Sequence, residues 1–365
     1  MSLSILGLGT AVPVHTMSQD AALEMSREII CQTDRQQRLM KVLFRKSGVG
    51  NRHTVVPHPI AYEWAGNGDG GTATGTKTVV RGPTTLERMQ LYAEHAAPLA
   101  EQAARKALEQ SSVEPEQFTH LITVSCTGFD APGVDVHLIS KLGLPATTQR
   151  VQVGFMGCHG AINGLRVAHG IANSDPQARI LLCAVEVCSL HYRFDWHTEG
   201  VTGNALFADG AAAIVCGARP PDKQGQWQVG ATGSCLVPDS TSAITWEIGD
   251  YGFEMNLSSE VPELILENLN PWLSDWLGQH GQTIESVGMW AVHPGGPRIL
   301  SAVEKSLGLS PDALNVSRQV LNELGNMSSP TVLFIFERLV KSDAVGPCVA
   351  LGFGPGLFAE AALLQ

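Results

Sequence analysis

Strand-length runs with little polar content, set between segments of helical period, are what most constrains this sequence. Ile180–Val187 is such a run, and Phe118–Ser125, Val287–Val292 and Cys348–Gly352 resemble it. A strand with one face in water alternates polar and apolar residues; these do not, so the sheet must be covered on both faces. Thr84–Gln110 carries Leu86, Met89, Ala93, Ala97, Ala100, Ala104 and Leu108 at helical spacing. Further helices are predicted over Ala21 to about Lys46, Val136–Leu142, Glu260–Leu277, Pro297–Leu307 and Pro330–Val340. Strands are predicted at Ser4–Gly9 and Leu357–Leu364, with a pair of short ones within Ala205–Gly217 and irregular chain over His53–Thr84. This alternation predicts an α/β class with a central sheet between helical layers. A length of 365 residues allows two structural units. The polar stretch Ala218–Gly225 reads as their linker, giving units 1–226 and 227–365. The strand–turn–helix around Cys158 has a counterpart in Met289–Gly296, so the two halves read as divergent copies of one plan.

Charge and cysteine usage narrow the function. Hydrophobic residues make up 44% and charged residues 16%, a globular balance. No apolar run reaches membrane-spanning length, and Met1–Thr10 lacks an export pattern, so a cytoplasmic location is expected. Eight cysteines without a CxxC pair suit reduced thiols and give no zinc pattern, so no metal is expected. A formal charge of −11 argues against a general nucleic-acid binder. The basic residues Arg35, Arg38, Lys41, Arg45, Lys46 and Arg52 cluster, either as a solvated helix face or as a phosphate site. Gly66–Gly71 lacks the Lys-Ser/Thr of a phosphate-binding loop and is read as plain loop.

Chemistry concentrates at three turns. Cys158 lies in Gly154-Phe155-Met156-Gly157-Cys158-His159-Gly160-Ala161, between a strand and a helix. Helix N-terminal N–H groups favour a thiolate there, and the glycines admit an acyl substrate; a buried core thiol is the plainer alternative. His293 ends an apolar strand before Pro-Gly-Gly, and Asn326 precedes a helix in Gly-Asn-Met-Ser-Ser. By themselves they read equally as a structural histidine and an N-cap. Together the three suit acyl transfer to sulfur followed by enolate formation, with imidazole and carboxamide as donors to a thioester oxygen.

Gly154–Ala161, Trp290–Pro297, Gly325–Ser329 and Gly352-Phe353-Gly354-Pro355-Gly356 resemble, in order and spacing, the motifs of the type III polyketide synthases. These form the chalcone synthase-like branch of the thiolase superfamily, and the resemblance spans nearly the whole chain. It implies a thiolase-like fold of two pseudo-repeated halves in five layers, αβαβα. It implies that Cys158 carries the starter and growing chain, while His293 and Asn326 promote malonyl decarboxylation. Phe207 and Phe253, otherwise readable as core aromatics, match the gate between a coenzyme A tunnel and the cavity. Gly354 and Pro355 match the cavity floor, with Thr127 and Ser328 beside it. Lys46 matches a lysine near the coenzyme A phosphates, with Lys41 and Arg45 nearby. A homodimer follows, with acyl-CoA and malonyl-CoA as substrates and no further cofactor. The reaction implied is decarboxylative Claisen condensation and cyclisation.

Departures from the plant pattern fall on specificity. His191 replaces a small polar residue of the starter pocket. Ala131 stands where a methionine reaches the partner's cavity, Cys126 where threonine lines it, and Ile244 where glycine is usual. The Met-Gly-Cys-His-Gly-Ala wording resembles bacterial enzymes that make alkylpyrones and alkylresorcinols from fatty acyl starters. The alternative is a ketosynthase that joins chains delivered by acyl carrier protein.

Overall fold

A computed structural model describes residues 3–66, 81–218, 227–342 and 346–365. Strand β1 (Leu3–Ala11) leads to the two-stranded ribbon β2 (His15–Ser18) and β3 (Asn51–Thr54), with helices α1 (Gln19–Ile30) and α2 (Asp34–Lys46) between its strands. Then follow α3 (Ile60–Gly66), α4 (Thr85–Gln110), β4 (His120–Ser125), α5 (Val134–Leu142), β5 (Gln149–Gly154) and α6 (Gly160–Ser174). β6 (Arg179–Val187), α7 (Thr198–Leu206) and β7 (Asp209–Gly217) complete this half. The remainder begins with β8 (Gln228–Leu236), the hairpin β9 (Ile244–Gly249) and β10 (Gly252–Leu257), α8 (Val261–Gln279) and β11 (Met289–Val292). It closes with α9 (Pro297–Leu307), α10 (Asn315–Leu324), α11 (Thr331–Val340), β12 (Cys348–Gly354) and β13 (Phe358–Leu364).

Nine strands form one mixed sheet in the order β11-β12-β13-β8-β1-β7-β6-β4-β5. From β4 to β1 the pairings run parallel, antiparallel, antiparallel. From β11 to β8 they run in the same sequence. The two half-sheets meet where Leu3 and Ser4 of β1 pair Val229 and Gln228 of β8. By sheet position β11 therefore matches β4, and β5 is an extra edge strand. The expected pairing of the Cys158 turn with the His293 turn is corrected accordingly: His293 after β11 occupies the place of Cys126 after β4.

The first part of helix α11 is apolar all round, with Val332, Leu333, Phe334, Ile335 and Phe336 buried in succession. Such a helix must be covered on every side. With α6 it forms the central layer, each helix touching strands of both half-sheets. Helices α4 and α5 cover the outer face of the first half-sheet, and α8 and α9 that of the second. The layers read αβαβα, as the resemblance implied. Fully burying one Leu, Ile or Phe side chain contributes about 1.5–3 kcal/mol, so three such cores dominate stability.

Local expectations differ in several places. The single helix expected over Ala21–Lys46 is two, because Thr33 and Gln36 form a reciprocal capping box that starts α2 afresh. The buried face of α4 is broader and shifted: Ala97, Ala100 and Ala104 are inside as expected, joined by Tyr92, Ala96, Leu99, Ala103 and Ala107, whereas Ala93 is exposed and Leu86 is 69% exposed. The strand pair expected within Ala205–Gly217 is the end of α7 and one strand. His53–Thr84 contains the end of β3 and helix α3, and β9, β10 and α10 were not anticipated. The Gly66–Gly71 loop after Gly66, and the linker after Ala218, lie outside the described residues.

Candidate active site

Strand β5 ends at Gly154, and the chain then turns through Phe155 at φ 59° and Gly157 at φ 79° before α6 begins. A Cβ on Gly157 would lie 2.4 Å from Cδ of Pro355, so glycine is required by both conformation and space. This turn presents Cys158 to a cavity lined by His293, Asn326, Ser328 and the Gly354–Pro355 floor. Cys126, Thr127, Phe207 and Ile244 line the same cavity, as expected.

The second turn is held by its own backbone. The Asn326 N–H donates to Leu206 O at 2.9 Å, and Ala208 N–H donates to Asn326 O at 2.9 Å. The Ser328 N–H donates to Asn326 Oδ1 at 2.8 Å, which turns the amide NH2 toward Cys158 and the cavity. Ser328 is held at φ 57°, a conformation that non-glycine residues adopt chiefly under constraint. Its hydroxyl lies 3.5 Å from Cys158 Sγ and 3.3 Å from Cys126 Sγ. His293 ends β11 with its N–H on Leu351 O at 2.8 Å. Its imidazole is buried, and neither ring nitrogen has a hydrogen-bond partner among the described residues.

Burial sets the resting charge state. It pushes the Cys158 thiol up to about 11, against the Ser328 hydroxyl and Asn326 amide, which favour the thiolate. Burial and the neighbouring His159 pull His293 down to about 3. Burial therefore works against the expected thiolate. A helix N-terminus supplies about 0.3–2 kcal/mol, or ~1.5 pH units at most, whereas full burial moves a group by up to about 3–5. Burial thus favours the neutral thiol at Cys158 and the neutral imidazole at His293. Alkylation of Cys158 by iodoacetamide, followed by peptide mapping, should accelerate with pH from 6 through 9. A plateau already reached below pH 7 would reveal a preformed thiolate and contradict this electrostatic picture.

Several residues were invisible to sequence reasoning. Glu186, the one carboxylate in the apolar strand β6, accepts hydrogen bonds from Cys126 N–H at 2.9 Å, Thr127 Oγ1 at 2.7 Å and the Ser329 hydroxyl. It ties the end of β4 to the Asn326 turn, and its position within an apolar run was the available signal. Trp246 on β9 donates from Nε1 to Cys126 O at 2.7 Å and walls the cavity. His191 does not line this cavity. Its Nε2 bonds Thr127 O at 2.7 Å, its Nδ1 accepts the Phe253 N–H at 2.9 Å, and its ring stacks on Phe253 at 4.3 Å. It is a buried wall support, held neutral by burial.

Phe253 and His191 line a second, largely apolar chamber that shares Cys188, Phe207, Trp246 and Met255 with the first. Ala131 is exposed and reaches neither chamber. Lys41, Arg45 and Lys46 lie exposed on α2. Arg52, grouped with them from sequence, is buried on β3 and donates to the carbonyls of Asn204, Ala205 and Phe207. Among the described residues no cluster of three or more His, Cys, Asp or Glu could hold a metal ion. No described helix is long and apolar enough to cross a membrane.

A thiol, an imidazole and a carboxamide converging on one cavity of an αβαβα fold define a condensing enzyme of the thiolase type. Residues 2–220 match the family "Chalcone and stilbene synthases, N-terminal domain", and residues 228–365 match its C-terminal counterpart. The chain is 31% identical, over 99% of its length and 90% of the relative's, to an alpha-pyrone synthesis polyketide synthase-like protein of Mycobacterium tuberculosis. It is also 31% identical to 1,3,6,8-tetrahydroxynaphthalene synthase of Streptomyces peucetius subsp. caesius, covering 99% of this chain and 93% of that one. PKS-I of the brown alga Ectocarpus siliculosus superposes with a TM-score of 0.91 at 30% identity, covering 100% and 98% of the two chains. This protein belongs to the chalcone and stilbene synthase family, the type III polyketide synthases, which are acyltransferase-type condensing enzymes. That membership favours the polyketide synthase reading over the carrier-dependent ketosynthase.

Proposed function

We propose that this enzyme loads a medium-to-long acyl starter from coenzyme A onto Cys158, extends it with malonyl-CoA and cyclises the chain to an alkylpyrone or alkylresorcinol type product. The convergence of Cys158, His293, Asn326 and Ser328 on one cavity carries this reading. In loading, His293 takes the proton of Cys158 as sulfur attacks the thioester carbonyl, and coenzyme A leaves as its thiol. In extension, loss of carbon dioxide from the malonyl group leaves an enolate. His293 and the Asn326 NH2 donate to its oxygen, and the enolate carbon attacks the acyl group on Cys158, releasing the cysteine sulfur. The unit 1–226 thus brings the nucleophile and 227–365 the two donors.

The second chamber supports a hydrocarbon starter. Met17, Met25, Ile60, Ala61 and Trp64 line it, and the Arg52 guanidinium there is committed to backbone carbonyls. Arg193, also on its wall, is paired with Asp195 and Glu254, so both guanidiniums are committed and the apolar part of the lining suits an acyl tail. Ala61→Phe is expected to lower turnover of long acyl-CoA starters at least tenfold relative to short ones, because a filled pocket discriminates by about 1–3 kcal/mol. Equal effects on both lengths in a starter ladder would remove the chamber from the acyl path.

The remaining roles follow the family resemblance. Lys41, Arg45 and Lys46 are read as phosphate contacts for coenzyme A, at the outer end of the path through Phe207 and Phe253. No organic cofactor or metal is invoked, and the cytoplasm is the expected location. A homodimer is supported by the exposed apolar side chains of Phe129, Val136, Val151 and Met156 around the edge strand β5. Ala131 lies beside them. The reading as a whole is tested by intact-protein mass spectrometry: an acyl adduct from acyl-CoA must form on the wild type and be missing in Cys158→Ala.

A further inference from the structure

His159, directly after the nucleophile, is 2% exposed and does not line the cavity. Its ring lies against β12, the strand that ends in the cavity floor. A Cβ on Gly354 would fall 2.5 Å from both Cδ2 and Nε2 of His159, and one on Gly352 would fall 3.1 Å from its Cβ. Both distances lie inside the ~3.5–4.0 Å of ordinary carbon contact. Gly352 and Gly354 share one face of the strand, and Phe353 between them points the other way, to the cavity wall. The ring is also tied in place. Its Nδ1 lies 2.7 Å from Asn163 Oδ1, and Asn163 Nδ2 donates to Glu360 Oε1 at 3.1 Å. Glu360 is paired with Arg166 and stands opposite Gly352 in the β12–β13 ladder, so the ring is fastened to the sheet it presses on. Its Nε2 is buried with no hydrogen-bond partner among the described residues, so what meets Gly354 is shape and not a bond. The nucleophile turn and the floor thus meet through two exchanges on either side of Cys158. Gly157 yields to the ring of Pro355, and Gly354 yields to the ring of His159.

We propose that His159 is a positioning residue whose ring sets the spacing between Cys158 and the cavity floor, and thereby the length of chain the cavity accepts. Cys158 stands between the two residues that touch the floor, so those contacts fix how far its sulfur is from Gly354 and Pro355. Protein interiors are close-packed, and a side chain removed behind a strand is replaced only in part, by movement of its neighbours. Movement of β12 into the space of a lost ring would carry Phe353 away from the cavity and deepen it. One methylene in an apolar pocket is discriminated by about 10–200-fold, so a small change in depth is readable in product length. His159 touches no substrate in this scheme and acts through Gly354 and Phe353. This inference rests on the reading that the cavity before Cys158 holds the growing chain.

The test compares the wild type, His159→Ala, Gly354→Ala and the double variant, with products from malonyl-CoA and an acyl-CoA ladder identified by mass spectrometry. Gly354→Ala alone should lower kcat by about 10²-fold, the cost of an ångström of misplacement, because its Cβ overlaps the ring. In the double variant that Cβ enters the space the ring has left, so about tenfold of the loss should return. Met156 O, the next nearest atom at 3.0 Å, limits the recovery. His159→Ala alone should still form the acyl adduct on Cys158 and should shift products to longer chains, whereas a merely structural role lowers yield and leaves product length unchanged. Should His159→Ala alone fail to fold by circular dichroism, Gly354→Ala and the double variant decide. Gly354→Ala as active as the wild type, equal impairment with and without the ring, or an unchanged product length in His159→Ala overturns the proposal. No acyl adduct on wild-type Cys158 would instead overturn the loading reaction proposed above.

Discussion

Asn326→Ala is expected to reduce malonyl-CoA decarboxylation by about 10²–10³ in kcat, the cost of deleting one preorganised donor to a developing oxyanion. The direction follows from how the amide is held. Its Oδ1 is occupied by the Ser328 N–H, and its backbone is clamped on both sides to Leu206 and Ala208. The NH2 end therefore faces Cys158 and the cavity, held in place before the proposed enolate would form. Acyl loading on Cys158 should survive, since it uses the thiol and His293. Mass spectrometry of the acyl adduct, beside release of carbon dioxide, separates the two. Lost loading with intact decarboxylation would reverse the roles assigned to the residues.

The second large effect is expected at Arg52, through stability. Arg52→Met should destabilise the protein by about 3–5 kcal/mol, a shift in denaturation midpoint readable by circular dichroism in urea. Its guanidinium donates to three carbonyls at the end of α7 and to the Gln19 side chain. Methionine would leave those acceptors buried without donors, next to the gate residue Phe207. Burial lowers Arg52 only to about 10, so the guanidinium stays charged at neutral pH. A change below about 1 kcal/mol, the ordinary range for a surface arginine, would show that those carbonyls find other donors.

The layered architecture and catalytic turns were legible because each has a local cause. A continuous apolar strand demands cover on both faces, and a cysteine framed by glycines between strand and helix has few plain explanations. Resemblance of the motifs then supplied roles for His293 and Asn326 that each residue alone did not reveal. The walls were legible only in part. β9 and β10 alternate apolar and polar residues, as in Ile244-Thr245-Trp246-Glu247, and pair as a hairpin, yet they were not anticipated; Ile244 and Phe253 were named only through the resemblance, and Trp246 not at all. Arg52 looked like its exposed basic neighbours because charge does not encode burial. His191 lines the second chamber and not the one before Cys158, and the use of both its ring nitrogens on backbone groups was not visible in sequence. The burial of Cys158, which opposes the thiolate, was hidden for a related reason: helix position is visible in sequence, while desolvation needs the folded cavity.

The most direct measurement incubates the purified enzyme with malonyl-CoA and a ladder of acyl-CoA starters and identifies products by mass spectrometry. The account predicts pyrones or resorcinols that carry the starter's alkyl chain, formed by the wild type and absent with Cys158→Ala. No product from any coenzyme A thioester, together with turnover once acyl carrier protein thioesters are supplied, would contradict it.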